Sequence, residues 1–137
     1  MDNHKEGVVG FLFNPTCDKV WMIKKNKPAW MKGKWNGVGG KLKIGEKPLD
    51  GMRREFYEEA GISIDVWRYL CTVSFPDPYT LHVFYSLAKD FDEFASVKTM
   101  TDEPLEPLLV SDIRNYIPLV STNIKWFLDY ALQKAEA

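Results

Sequence analysis

Apolar positions along the chain follow two spacings, one typical of strands and one typical of helices. Five short runs rich in Val, Leu, Phe and Trp predict strands, at residues 7–13, 19–24, 62–75, 81–87 and 107–110. Turn residues separate them, at Asn14-Pro15-Thr16 and at Pro76-Asp77-Pro78. Residues 91–106 are polar, and we expect them to be irregular.

Two segments have helical spacing instead. Residues 48–60 are bounded by Pro48, which suits a first helical turn, and by Gly61, which suits the position after the end. Apolar residues recur there every three or four positions and predict a core-facing side: Leu49, Met52, Phe56 and Ala60. Residues 123–135 repeat this pattern with Ile124, Phe127, Leu128 and Ala131. The mixed order of elements favours one α/β or α+β domain over residues 1–137.

Composition narrows the function classes. The net charge of -1 provides no broad basic surface for unspecific nucleic-acid binding, so a bound nucleotide needs a local site. The two cysteines and two histidines form no CxxC, HExxH or mixed cluster, which argues against zinc. Residues 1–6 are polar, without the apolar core of a signal peptide, and no apolar run is long enough to cross a bilayer. We therefore expect a cytoplasmic protein without membrane contact.

Three carboxylates are crowded on the helix predicted at residues 48–60. Glu55, Glu58 and Glu59 stand at i, i+3 and i+4, about 110° from the apolar side at 3.6 residues per turn. Each like-charged pair costs about 0.2–0.5 kcal/mol, and the second half of a helix disfavours negative charge further. A divalent cation would remove this repulsion, since Mg²⁺ and Mn²⁺ prefer carboxylate oxygens. The helix taken alone leaves a solvated acidic face, partnered by Arg53 and Arg54, as an open alternative.

The surrounding residues match a long motif, G-x5-E-x7-R-E-U-x-E-E-x-G-U, where U is a bulky apolar residue. The matching residues are Gly40, Glu46, Arg54, Glu55, Phe56, Glu58, Glu59, Gly61 and Ile62. By average composition, a chance match has a probability of about 10⁻⁶. The chain therefore resembles the Nudix hydrolase family. Phe56 departs mildly from the usual aliphatic residue. The resemblance implies a mixed β-sheet sandwiched between helices and metal-dependent cleavage of a nucleoside diphosphate linked to a group X.

The resemblance assigns roles within this motif. Glu58 and Glu59 bind the metal, and Glu55 is a further ligand or the group that orients or deprotonates the attacking water. Arg54 pairs with the acids, and Glu46 caps or buttresses the start of the helix or binds an outer metal. The expected cofactor is Mg²⁺, with Mn²⁺ as the alternative; two or more ions would bridge the diphosphate and lower the pKa of a bound water.

Residues outside the helix complete the expected site. Gly39 and Gly40 allow the backbone to come close to the ions, with the Gly39 carbonyl as a ligand, and Lys41 is placed to meet phosphate oxygens. Many family members supply another acid from a later loop; by position this is Glu103, as a ligand or base, with Asp102 and Glu106 as alternatives.

Substrate choice is less well defined. Trp35-Asn36-Gly37-Val38-Gly39-Gly40-Lys41 resembles the beginning of the motif in the MutT-like branch, which hydrolyses nucleoside triphosphates to a monophosphate and pyrophosphate. There, the asparagine reads the base, which makes Asn36 the base-contact candidate, and Trp30 could lie over a base. The W-P-D-D segment of the oxidised-purine enzymes has Ile117-Pro118-Leu119-Val120 as its counterpart, without the tryptophan or either acid.

Other readings stay open. One is hydrolysis of ADP-ribose, another sugar nucleotide or a dinucleoside polyphosphate. Another is removal of pyrophosphate from RNA 5′ ends, for which the path would be the lysines at positions 24, 25, 27, 32 and 34. A third is a non-catalytic nucleotide-binding module, against which the three retained glutamates argue. Monomer and homodimer are both expected possibilities.

Overall fold

The strand-forming runs build one mixed β-sheet. The computed structural model describes residues 4–76 and 78–136. The strands are β1 Lys5–Phe13, β2 Lys19–Lys24, β3 Trp35–Asn36, β4 Val38–Lys41, β5 Arg68–Phe75, β6 Tyr79–Leu87 and β7 Leu105–Leu109. They run in the order β3-β2-β1-β6-β5, while β4 lies along the first half of β1 and β7 lies along β2. β1 and β6 are parallel and the other pairs are antiparallel, so the sheet is mixed.

The helices cover both faces of this sheet. They are α1 Pro48–Ala60, α2 Phe91–Ala95, α3 Val110–Asn115 and α4 Asn123–Glu136, and a short 3-10 turn spans Ala29–Met31. None of the helices within the described residues is long and apolar enough to span a membrane.

Alternation along β1 decides which helix packs on which face. Val9, Phe11 and Phe13 are buried with residues of α3 and α4, whereas Val8 and Leu12 are buried with residues of α1. Successive strand residues point to opposite faces, so β1 has a core on each side. Each fully buried large side chain contributes about 1.5–3 kcal/mol. The expected mixed sheet between helices is confirmed.

Helix α1 begins and ends where its sequence predicts. Pro48 occupies the first turn, and Gly61 follows the end with φ 74°, the left-handed conformation that glycine adopts without a steric penalty. Met52, Phe56 and Ala60 are fully buried and Leu49 packs against the same core. α4 likewise buries its four predicted apolar residues.

Three strand and loop predictions were wrong in detail. The strand predicted at residues 62–75 begins only at Arg68, because Ile64 and Trp67 leave the sheet to pack beneath α1, with Trp67 5.1 Å from the Phe56 ring. The region predicted as irregular contains α2, whose first turn is capped by Asp90 accepting a 2.8 Å bond from the Glu93 amide. The last strand ends at Leu109, and α3 follows directly. Of the turn predicted at Pro76-Asp77-Pro78, Asp77 lies outside the described residues.

Candidate active site

Helix α1 brings the three glutamates of the motif together. Glu55 is buried, at 9% exposure, Glu59 is half-buried and Glu58 is exposed. Helix α1 contacts β4, the strand formed by the glycine-rich stretch, and the Glu55 carboxylate lies at Gly40 of that strand. The structure therefore places the first carboxylate of the acidic stripe against the glycine strand.

Arg54 organises these acids. Its guanidinium donates to both carboxylate oxygens of Glu46, at 2.8 Å each, and to Glu55 at 3.0 Å and Glu58 at 3.2 Å. A further bond reaches the Lys41 carbonyl at 3.1 Å. The hydrogen bonds from Arg54 hold the pKa of Glu46 at about 2, and the bonds to Glu46 raise the pKa of Arg54. Bidentate pairing of this kind fixes geometry as well as charge.

Of the roles expected for Glu46, the structure shows that of a buttress and not that of a helix cap. The residue before the first turn of α1 is Lys47, and no side chain caps the helix there. Glu46 accepts the Lys43 amide at 3.1 Å and holds Arg54 one and a half turns into the helix. It is thus a buttress of the helix and not its side-chain cap.

Gly40 is required by the position of Glu55. A Cβ added at Gly40 would lie 2.7 Å from both carboxylate oxygens of Glu55. Burial raises the pKa of Glu55, the hydrogen bond from Arg54 opposes this, and Glu58 and Glu46 add to the rise. A Cβ at Gly39 would collide with the Val8 carbonyl of β1. The glycine pair thus allows the buried carboxylate and two backbone strands to share one small volume.

Glu59 lies at the far end of the acidic stripe. Its carboxylate accepts a 3.1 Å bond from the Thr101 hydroxyl. Burial raises the pKa of Glu59 first of all, and the negative charges of Glu55 and Glu103 raise it further. The site therefore carries more negative charge than its own cations compensate.

This donor set fits a hard divalent cation. Among residues 4–76 and 78–136, no three acidic, histidine or cysteine side chains lie close enough together to hold one ion, and Arg54, Thr101 and Lys25 each bond to one or more of the carboxylates. Excess negative charge and carboxylate oxygens beside a backbone carbonyl are what Mg²⁺ or Mn²⁺ would neutralise. Glu55, Glu58, Glu59 and the Gly39 carbonyl are the residues that could hold it.

Glu103 is buried close to this group, at 6% exposure. One oxygen pairs with the Lys25 ammonium at 2.8 Å, and the other accepts the Asn26 amide at 2.6 Å. Burial alone would raise the pKa of Glu103, but the bonds from Lys25, Asn26 and Lys27 hold it below its usual range. Its charge contributes to the raised pKa of Glu59, so the two acids are electrostatic neighbours.

The candidate substrate residues have different surroundings. Lys41 is exposed, and Trp30 is 60% exposed on the 3-10 turn. The Asn36 side-chain oxygen accepts the Gly37 amide at 2.8 Å. The segment at residues 117–120 lies beside Asn36, since Leu119 pairs with Trp35, and Trp35 exchanges backbone bonds with Pro118 and Val120. The base-contact candidate therefore has an aliphatic neighbour segment.

The sequence did not reveal Lys25, Asn26 and Thr101 as neighbours of this site. Lys25 and Asn26 are 78 and 77 positions from Glu103, and Thr101 is 42 positions from Glu59. No local pattern predicts such pairings. The weak signal was the run of polar residues on each segment.

Known proteins match this chain along most of its length. The family model of the NUDIX domain matches residues 3–119. An oxidized purine nucleoside triphosphate hydrolase of Mus musculus is 35% identical over 68 residues, which cover 46% of this chain and 44% of the relative. An 8-oxo-dGTP diphosphatase of Proteus vulgaris is 32% identical over 87 residues, covering 60% of this chain and 78% of the relative.

A solved NUDIX hydrolase of Nitrosomonas europaea superposes with a TM-score of 0.77, at 19% identity, over 99% of this chain and 74% of that one. The chain spans less than half the length of the mouse relative. The family match, the motif from Gly40 to Ile62 around α1 and the shared fold agree, and the chain belongs to the NUDIX domain family.

Proposed function

We propose that this protein hydrolyses a nucleoside diphosphate linked to a group X, and that its main substrates are nucleoside triphosphates, ribo or deoxyribo. Water would cleave the phosphoric anhydride to give a nucleoside monophosphate and pyrophosphate. The observation that carries the proposal is the acidic stripe of α1, with the Glu55 carboxylate lying against Gly40 of the glycine strand. Family membership and the names of the mouse and Proteus vulgaris relatives support it.

Arg54 and the glutamates of the acidic stripe have different roles in the proposed reaction. Arg54 donates to Glu55 and Glu58 and so restrains both carboxylates before a cation binds. Glu55 is buried beside β4, which suits a group that orients or deprotonates the attacking water. Glu58 and Glu59 would be the principal ligands, with the Gly39 carbonyl. When bound, Mg²⁺ would lower the pKa of a coordinated water and neutralise charge on the diphosphate; Mn²⁺ could substitute.

The candidate substrate residues suit a nucleotide but do not identify its base. The side-chain oxygen of Asn36 is engaged by Gly37, so its amide NH₂ is the group available to an acceptor on a base edge. Residues 117–120 offer aliphatic contacts where the oxidised-purine enzymes have W-P-D-D. We assign phosphate contacts to Lys41 and base stacking to Trp30, both exposed. Oxidised purine nucleotides are candidate substrates on the strength of the relatives' names.

The test is product analysis with Mg²⁺ over the common nucleoside triphosphates, oxidised dGTP, ADP-ribose and diadenosine tetraphosphate. We expect pyrophosphate and a monophosphate from at least one triphosphate, and a loss of about 10²-fold or more in Glu58→Gln. Asp50→Asn is the matched control, since it removes a carboxylate from α1 outside the acidic stripe. Activity confined to ADP-ribose or the dinucleotide would overturn the triphosphate assignment. Absence of turnover on all of these substrates, and on 5′-triphosphorylated RNA tested beside them, would overturn the enzymatic proposal.

We also infer a reducing, cytoplasmic location. Cys17 and Cys71 are both free thiols. Free thiols persist in reducing compartments, where disulfides are rare. Fractionation of the native host with a cytoplasmic marker would test this.

A further inference from the structure

A small cavity lies at the end of the sheet where β5 begins and β6 ends. Its volume is about 230 Å³, and its lining includes Arg68 of β5, three successive residues of β6 that end at Leu87, and Lys134 in the last turn of α4. The pairing of β5 with β6 starts at Arg68 and Tyr85. The last two residues of β6 therefore have no β5 residue beside them, and the edge of β6 is open at the cavity.

This cavity is remote from the acidic stripe of α1. Gly40, against which the Glu55 carboxylate lies, pairs with Val8 of β1. Leu87, at the cavity, is opposite Phe13, which is five residues further along β1 than Val8. At 3.3 Å per residue, the two places are roughly 16 Å apart along the sheet. A ligand in the cavity would not contact the carboxylates of α1.

The lining of the cavity is positively charged. Among the described residues that form it, Arg68 and Lys134 are cationic and none is acidic. Both side chains belong to exposed residues, and neither forms an ion pair within residues 4–76 and 78–136. Lys134 lies over the Tyr130 ring, 5.3 Å from its centroid. Burial raises the pKa of the Cys71 thiol and the charge of Lys134 opposes this rise, which places the ammonium near β5.

Tyr85 supplies a hydroxyl that the fold leaves without a partner. The residue is 5% exposed, yet its hydroxyl makes no hydrogen bond with any residue that the structure describes. It is not fully enclosed either, because the Trp67 indole nitrogen is the only fully enclosed side-chain N or O atom without a partner in the described part of the chain. A buried phenol usually finds a partner. The unbonded hydroxyl of a residue in the cavity wall therefore indicates a partner from outside the chain.

The backbone around the cavity adds a further donor. The Ser86 hydroxyl donates to the Val66 carbonyl at 2.6 Å, so this carbonyl of the lining is already occupied. The Ala88 amide donates to the Phe13 carbonyl of β1 at 2.9 Å. The Leu87 amide, one position earlier, therefore points away from β1 to the open edge of β6. The groups left to meet a ligand include two charged donors, a phenol and a backbone amide.

We propose that this cavity binds a small oxyanion of the phosphate type, held by the Arg68 guanidinium, the Lys134 ammonium and the Tyr85 hydroxyl. Charged donors form the stronger bonds to phosphate oxygens, and the phenol adds a neutral one. Pockets that enclose drug-sized ligands measure about 300–1,000 Å³, so a cavity of about 230 Å³ suits inorganic phosphate better than a whole nucleotide. The carboxyl end of α4 is its electronegative end and weakens binding, so we expect a dissociation constant in the millimolar range.

The test is a titration of the metal-free protein with sodium phosphate at constant ionic strength, followed through the amide NMR shifts of each residue. We expect saturable shifts centred on Arg68, Leu87 and Lys134, and none when sodium chloride replaces phosphate. Phosphate bound beside the acidic stripe would instead shift the amides of Gly40 and Lys41, so the two places are distinguished. Absence of shifts around the cavity, or equal shifts with chloride, would overturn the proposal.

Three variants test the assigned donors. Arg68→Gln should weaken phosphate binding about tenfold or more, since it loses a charge-assisted bond, and Tyr85→Phe about threefold, since it loses only the hydroxyl. Lys134→Gln should fall between these. Lys125→Gln is the matched control, an exposed lysine at the other end of α4, and its affinity should stay within about twofold of the wild type. Tyr85→Phe leaves the net charge unchanged, so its loss cannot come from weaker general attraction. Wild-type affinity in both Arg68→Gln and Tyr85→Phe would contradict the assignment.

A nucleoside monophosphate provides the last comparison. It has the same phosphoryl group together with a sugar and a base, for which the cavity has no room. It should therefore bind at this place no more tightly than inorganic phosphate. Binding there that is about tenfold tighter than that of phosphate would mean that the ligand is a nucleotide, and the assignment to a small oxyanion would be wrong.

Discussion

The pairing of Glu46 with Arg54 makes a prediction about stability that can be followed with pH. Glu46→Gln keeps the shape of the side chain and an oxygen for the Lys43 amide, but removes the charge that meets Arg54. In the folded protein the pKa of Glu46 lies at about 2 instead of the ordinary 4.5. At about 1.4 kcal/mol per pH unit, this difference sets an upper bound of roughly 3.4 kcal/mol on the contribution of the charge.

Solvent reduces that bound. The Glu46 side chain is 13% exposed and that of Arg54 20%, so the pair is only partly shielded from water. We therefore expect Glu46→Gln to lower the free energy of unfolding by about 1–2 kcal/mol at pH 7. Asp50→Asn is the matched control on the same helix. Its pair with Arg53 is longer, at 3.8 Å, and more exposed, and its loss should stay below about 0.5 kcal/mol.

The pH dependence has a definite sign. A carboxyl whose folded pKa is depressed stabilises the fold above its unfolded pKa and loses this effect as it becomes protonated. The difference between wild type and Glu46→Gln should be constant from pH 7 to about 5 and shrink as the pH falls from 4.5 towards 2. Urea unfolding, followed by tryptophan fluorescence at several pH values, measures it. A loss of the same size at pH 3 and pH 7, or one no larger than that of Asp50→Asn, would refute the electrostatic reasoning.

Two further predictions concern the acidic stripe. Gly40→Ala places a Cβ 2.7 Å from the Glu55 carboxylate and should lower kcat/KM about tenfold or more. The shorter side chain of Glu55→Asp should recover part of this loss in the double variant. If Gly40→Ala alone leaves kcat/KM unchanged, the Glu55 carboxylate is free to move away from the added methyl group. Glu59 has a raised pKa, so its charge opposes folding above that pKa. Glu59→Gln should therefore raise the free energy of unfolding of the metal-free protein by about 0.2–0.5 kcal/mol at pH 7 while nearly abolishing turnover, and a destabilised variant in urea would contradict this.

Local chemistry explains which parts of the fold were predictable. The bounds of α1 follow from Pro48 and Gly61, which act on the backbone of their own positions. Strand β2 likewise has the predicted limits. The missed helix α2 did have a local signal, Asp90 three positions before Glu93, but five residues of helix are too few to produce an apolar period.

Contacts between distant segments explain the rest. Residues 62–67 have the composition of a strand, yet Ile64 and Trp67 are buried in the core beneath α1 instead of pairing in the sheet. The partners of Glu103 are of the same kind, because they meet only after β2 and β7 pair. The motif predicted that the acids would gather on α1 and pair with Arg54, but it contained no information on the pairing of Lys25 with Glu103.

The unequal compensation of the three glutamates has a consequence for cation binding. Arg54 bonds to Glu55 and Glu58, and Glu46 in turn holds Arg54 in place. Among the described residues, only the Thr101 hydroxyl donates a hydrogen bond to Glu59, and Lys25, whose charge also acts on Glu59, is already paired with Glu103. A cation gains most beside the charge that the protein compensates least. Glu59 should therefore contribute more to divalent-cation affinity than Glu58, which is exposed to water and already paired with arginine.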